Sequence, residues 1–216
     1  PLSERWFGIY ADNKRVGFYR QKITETPNGY RFEGISNVRI TLMGYYSKNS
    51  SIRETYLVEK NLALRTFEVE QVINGQLSRV TGKVNDTSLR IKSESNGKST
   101  DKLFRLKYVL YPGPALNLYP LMHDVTAGKS YRLQTFDPEE LKLKDVTINV
   151  MGYKKTPDGQ SALKLRNNLY PFVTNDVWVD KDGNTVFESV RAGLVIFKGE
   201  DPKTLGAFVG NSVIAG

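Results

Sequence analysis

The chain has no cysteine and a single histidine, His123, among its 216 residues. The first absence removes thiol nucleophiles, disulfide frameworks, thiolate zinc sites and iron–sulfur clusters. The second rules out a multi-histidine metal centre, so neither a metal nor a cofactor is expected. Catalytic signatures are missing as well. No Gly-x-Ser-x-Gly elbow is present, and Gly8, Gly17 and Gly44 stand in no phosphate-loop spacing. What remains is a soluble globular composition: 39% hydrophobic, 25% charged and 11% aromatic residues, neither a disordered tail nor a membrane span. A chain of this length buries roughly 70% of the surface that it exposes when unfolded, enough to fold without covalent staples.

Charge is distributed unevenly. Residues 1–108 carry 19 Lys and Arg against 11 Asp and Glu, whereas residues 109–216 carry 12 of each, so the net charge of +8 lies wholly in the first half. Such a field attracts anionic surfaces. Its densest stretch contains Arg79, Lys83, Arg90, Lys92, Lys98, Lys102, Arg105 and Lys107. Arg79, Lys83, Arg90, Lys92, Arg105 and Lys107 are the candidate contacts to an anionic surface, against the plainer reading of a solvated strand face.

Alternation of period two dominates the chain. Val38, Ile40 and Leu42 alternate with Arg39 and Thr41, and Val146, Ile148 and Val150 with Thr147 and Asn149, which marks strands with one buried and one wet face. Turn chemistry falls between them at Asp12-Asn13, Pro27-Asn28-Gly29, Asn74-Gly75, Asn96-Gly97, Pro157-Asp158-Gly159 and Asp182-Gly183. The pattern predicts thirteen strands, near 5–11, 15–25, 30–44, 50–60, 62–73, 76–85, 88–95, 99–107, 129–136, 141–155, 160–168, 172–180 and 184–197. The expected fold is therefore all-β: a long antiparallel meander forming a strongly curved sheet or incomplete barrel, with a short helical segment near 112–124. The expected organisation is one β domain over 1–198. Its two sequential lobes, 1–107 and 129–198, are joined by a helical plug at 108–128. The tail 199–216 is read as the start of something longer, from Val209, Val213 and Ile214. Within the plug, Leu116, Leu118, Leu121 and Met122 are the candidate gate of an apolar pocket on the concave face.

Other constellations have plainer readings. His123-Asp124 has no positioned serine partner, and a triad is defined by geometry rather than by inventory. Asp137, Glu139 and Glu140 are too close in sequence to span a sugar and read as a capped turn. Asp180-Lys181-Asp182-Gly183-Asn184 lacks the acidic twelfth position of a calcium loop, which here is Arg191, and reads as a hairpin turn. Aromatics interleaved with arginine, as in Tyr30-Arg31-Phe32, fit a nucleic-acid platform and an ordinary β-protein alike; without a ribonucleoprotein signature, nucleic acid is disfavoured.

The opening Trp6-Phe7-Gly8-Ile9-Tyr10, Asn13-Lys14 and Val16-Gly17-Phe18 resembles the start of an exported bacterial β-rich region found N-terminal to transglutaminase-like domains. The segment Ser130 to Pro138, the turn Trp178 to Gly183 and Gly193-Leu194 resemble later parts of the same region. The resemblance implies a non-catalytic, extracytoplasmic binding or positioning domain of a bacterial cell-envelope protein, periplasmic or otherwise exported, with a Cys–His–Asp catalytic module beyond Gly216. No cysteine is present, so that activity transfers to no residue here. More distantly, the architecture is similar to the half-barrels of periplasmic lipoprotein carriers, which implies the alternative of a carrier for a lipid or acyl chain. Expected partners are a protein, a lipid, an anionic envelope polymer or a membrane surface. The chain opens on Pro1 with no legible targeting segment, so a processed product is expected.

Overall fold

The computed structural model describes residues 3–42, 46–169, 174–190 and 193–205, with side chains at all of these except 42, 46, 204 and 205. Fourteen strands follow one another: β1 (Ser3–Ala11), β2 (Lys14–Thr26), β3 (Gly29–Leu42), β4 (Tyr46–Glu59), β5 (Leu64–Ile73), β6 (Gln76–Asn85), β7 (Ser88–Ser95), β8 (Lys98–Arg105), β9 (Ser130–Asp137), β10 (Lys142–Lys155), β11 (Ser161–Asn167), β12 (Asn175–Val179), β13 (Thr185–Val190) and β14 (Val195–Gly199). The all-β, antiparallel reading holds. Between β8 and β9 lie two 3-10 turns, Gly113–Leu118 and Pro120–Met122, each opened by a proline in its first two positions. Proline there sets the helical φ and sacrifices an amide that has no partner in any case.

One strand expectation needs correction. Residues 184–197 do not form one strand but a hairpin, β13 and β14, paired from Phe187↔Lys198 to Val190↔Val195. Gly193 is the reason: it sits at φ 96°, where a side chain is strained, and its amide donates to the Val190 carbonyl. Of the expected tail, Gly199 ends β14 and Pro202–Leu205 is a 3-10 turn. Val209, Val213 and Ile214 lie outside the described residues, as does Gly44.

The chain divides into two compact units. One comprises the described residues within Pro1–Ile9, Arg15–Leu110 and Glu200–Gly216; the other comprises Tyr10–Lys14 and Tyr111–Gly199. In the first, strands pair in chain order, β2 with β3 and so on to β8 at the outer edge. Positive φ at Asn74 and Gly75, and again at Asn96 and Gly97, closes two of its hairpins with two-residue turns. Those turns fix the register, and the register gathers Phe32, Tyr56, Phe67, Val69, Val80, Leu89 and Ile91 on one face, all buried. Phe67 lies across β6 at Gly82, where an added Cβ would come within 2.2 Å of the ring. Glu200 belongs to this unit as well: its amide donates to the Trp6 carbonyl, and its carboxylate pairs with Arg15.

In the second unit β9 to β14 also pair in chain order. Leu133, Val146, Ile148, Val150, Leu163, Leu165, Val177 and Val179 form one apolar face, and Leu116 from the 3-10 segment packs into it together with Tyr119 and Leu121. On the opposite face Trp178 packs edge-on against Phe187 at 5.5 Å, with Ala162 buried beside them.

Because Phe67 occupies the space that a Cβ at position 82 would need, Gly82→Ala is expected to cost about 1–3 kcal/mol through overpacking. Urea unfolding would measure it, with Gly97→Ala as a reference that meets no neighbour and strains only the turn.

Candidate functional site

Strand register turns a scattered set of basic residues into a surface. Across β5, β6, β7 and β8 the paired positions run Glu70↔Arg79↔Glu94, Glu68↔Thr81↔Lys92↔Asp101, and Thr66↔Lys83↔Arg90↔Leu103. Arg105 falls two positions beyond Leu103 on the same face, and Lys107 follows the end of the strand. Arg79, Lys83, Arg90, Lys92 and Arg105 therefore share one exposed face.

Neutralisation within that face is graded. Arg79 Nη2 lies 2.7 Å from Glu68 and its Nε 4.0 Å from Glu70, and Lys92 lies 3.5 Å from Glu94. Lys83, Arg90, Arg105 and Lys107 have no carboxylate partner among the described residues. Lys83 and Arg90 stand directly opposite each other across β6 and β7, an arrangement that costs stability because like charges face each other. Such a cost is offset when an anion lies over the pair.

The candidate gate residues are placed differently. Leu116 is 4% exposed inside the core of the second unit, and Leu121 packs against that core. Leu118 is half-buried, and Met122 is exposed at 49%. His123 is exposed; its ring stacks on Tyr119 at 4.0 Å and its Nδ1 lies 2.8 Å from the Tyr119 carbonyl. Asp124 accepts from the Thr126 amide and hydroxyl, which hold its carboxyl below the usual range. Asp137 caps its turn by accepting from the amides of Glu139 and Glu140, and its carboxylate lies 2.7 Å from Lys144 Nζ. Burial pushes the Asp137 carboxyl up, but these donors outweigh it and the net displacement is downward. Asp180 takes the amides of Asp182 and Asn184 in a hairpin turn. Among the described residues no group of three metal-ligating side chains converges.

Two carboxylates stand out that sequence reasoning passed over. Glu54 lies on the apolar face of the first unit, where Tyr56 Oη donates to Oε2 at 3.2 Å and Tyr19 Oη to Oε1 at 3.3 Å. Gly34, its neighbour across β3 and β4, makes room: a Cβ there would lie 2.6 Å from Oε1. Burial pushes the Glu54 carboxyl up, opposed by the two tyrosines. Glu188 sits between Val177 and Phe197 in the second unit, and burial pushes it up to about 7. No hydrogen bond or ion pair compensates it among the described residues. A signal was present in both cases: Ile52, Glu54, Tyr56 and Val58 alternate, as do Val186, Glu188 and Val190, and each glutamate takes a position where the pattern calls for an apolar side chain.

No protein-family model and no curated protein matches the chain. Among solved structures it is similar to a β-barrel-like protein of the domain of unknown function DUF1849 from Brucella abortus, at 13% identity and a TM-score of 0.62, over 91% of this chain and 94% of that one. The fold is β-barrel-like. A DUF1089 family protein from Pseudomonas aeruginosa is matched at 10% identity and a TM-score of 0.45, over 78% of this chain and 87% of that one. Both are bacterial, and neither description names an activity. An association with transglutaminase-like domains does not emerge from these likenesses.

Glu188 generates a pH prediction. Its folded value of about 7 lies above the ordinary 4.5, so the folded state holds the proton more tightly. Stability is fully present below pH 4.5 and is lost as pH rises through 7, by on the order of 3 kcal/mol before any relaxation. Glu188→Gln should therefore match the wild type near pH 4.5 and exceed its melting temperature at pH 8. Equal melting temperatures at pH 8 would show that Glu188 is solvated.

Proposed function

We propose that this chain is a non-catalytic, extracytoplasmic binding domain of a bacterial cell-envelope protein, engaging an anionic partner through the outer face of β6, β7 and β8. The observation that carries this reading is the directly opposed and unneutralised Lys83–Arg90 pair, flanked by Arg105 and Lys107. A purely structural surface would place acids beside these bases, as it does for Arg79 and Lys92 on the same face. Non-catalytic character is supported by the employment of His123, Asp124, Asp137 and Asp180 in local stacking, turns and capping. The exported location rests on the resemblance of Trp6 to Phe18 and of Trp178 to Gly183 to regions that precede transglutaminase-like domains. On that resemblance the domain serves as an accessory that positions material for a catalytic module elsewhere in the protein. For the carrier of a lipid or acyl chain no observation speaks: Leu116 and Leu121 fill a core rather than line a space.

Association of the chain with poly-glutamate, or with vesicles containing phosphatidylglycerol, should weaken steeply between 20 and 150 mM salt, as exposed charges are screened over about 8 Å at the upper value. Reversing both charges in Lys83→Glu/Arg90→Glu should abolish it without lowering the melting temperature. Association that ignores both salt and charge reversal would overturn the reading.

A further inference from the structure

The basic face ends at β8, and β8 is an open edge. Its inner side pairs with β7 along its whole length, from Ser88↔Arg105 to Ser95↔Lys98. No described strand pairs with its outer side, and seven of its eight residues are exposed. Exposed edges of this kind are templates for a further strand, and proteins usually shorten, cover, bulge or charge them; charge blocks like edges and leaves strands of opposite charge free to pair. Here the edge is regular, eight residues long and without proline or bulge.

Hairpin geometry identifies which backbone groups are free. The two-residue turn at Asn96 and Gly97, both at positive φ, makes Ser95 and Lys98 a hydrogen-bonded pair. Bonded and non-bonded pairs then alternate, so Thr100, Lys102 and Phe104 direct their amides and carbonyls to β7. Ser99, Asp101, Leu103 and Arg105 direct theirs outward. Those same four residues carry their side chains on the basic face, where Leu103 is 54% exposed between Lys83–Arg90 and the open edge.

Charge decides the occupant. A second copy pairing edge to edge would bring together two strands that each carry Lys98, Lys102 and Arg105 against the single acid Asp101, so net charge opposes self-association. An acidic strand meets the opposite situation: Lys102 and Lys98 flank it on one face, and Arg105 with the unpaired Arg90 on the other. We infer that β8 accepts an extended acidic segment of a partner protein as an added strand beyond the edge, held by the outward backbone groups of Ser99, Asp101, Leu103 and Arg105, with an apolar partner residue over Leu103. This inference rests on the basic face as an anion-binding surface and adds the class of partner and the mode of docking.

The probe is a fluorescein-labelled peptide, Glu-Val-Val-Glu-Thr-Thr-Thr-Glu. In antiparallel register its acids meet Arg105, Lys102 and Lys98, and its second valine meets Leu103. Anisotropy at 20 mM salt should report binding at or below about 100 µM. Amide exchange of wild-type protein should show new protection at residues 99, 101, 103 and 105 and none at 100, 102 or 104. Leu103→Pro removes an outward donor while sparing every bond to β7, so it should weaken the peptide at least tenfold and leave poly-glutamate binding unchanged. If the peptide fails to bind while poly-glutamate or phosphatidylglycerol vesicles bind, the strand inference falls and the anionic face stands. If the peptide binds with no selective protection, or equally to folded Leu103→Pro, its attachment is electrostatic only and the strand inference falls as well. Should Leu103→Pro unfold, the exchange pattern of the wild type decides alone. Concentration-dependent dimerisation lost in the same variant would overturn the choice of occupant, and failure of every anion would remove the face itself.

Discussion

Register between neighbouring antiparallel strands is the constraint on which this structure depends. A strand shifted by one residue turns every side chain to the other face. Two-residue turns with positive φ, such as Asn74-Gly75 and Asn96-Gly97, admit only one register. With that register, Phe67, Val80 and Ile91 become core, and Arg79, Lys83 and Arg90 become surface. The same constraint assigns the backbone groups at the end of the run, because pairing with β7 consumes alternate residues of β8 and leaves the others outward.

The two units solve the problem of the buried face differently. In the second, the 3-10 segment brings Leu116, Tyr119 and Leu121 onto the apolar side of β9 to β12, so a short plug completes the core. In the first, aromatic volume and missing side chains do much of the fitting: Phe67 extends over Gly82, and the Glu54 carboxylate over Gly34. A carboxylate amid this apolar face is stabilised by two tyrosine hydroxyls, whereas Glu188 in the second unit has no such compensation. Burial pushes both carboxyls up, which sets them apart from Asp137 and Asp124, whose donors favour the charged form.

Charge on the outer face follows a similar contrast. Arg79 and Lys92 have acids within reach, and their contribution is the small one of exposed pairs. Lys83 and Arg90 stand opposite each other across β6 and β7, with no ion pair to an acid among the described residues. Like charges held opposite each other cost stability, whereas the acids beside Arg79 and Lys92 lower that cost.

Strand identity was legible because alternation and Asn-Gly or Asp-Gly punctuation are local properties, set by the pleat and by the φ that each turn demands. Gly193 was the exception: a glycine followed by leucine gives no strong turn signal, and the hairpin of β13 and β14 became visible only with the backbone. The basic residues could be named in the sequence, yet their common face could not, since sharing it depends on pairing between strands. Which of them lack an acid, which side of β8 is open, and that Leu116 packs inward while Met122 stays exposed are likewise outcomes of tertiary structure. Composition and period settle what each segment is; contacts between segments distant in the chain settle what each side chain meets.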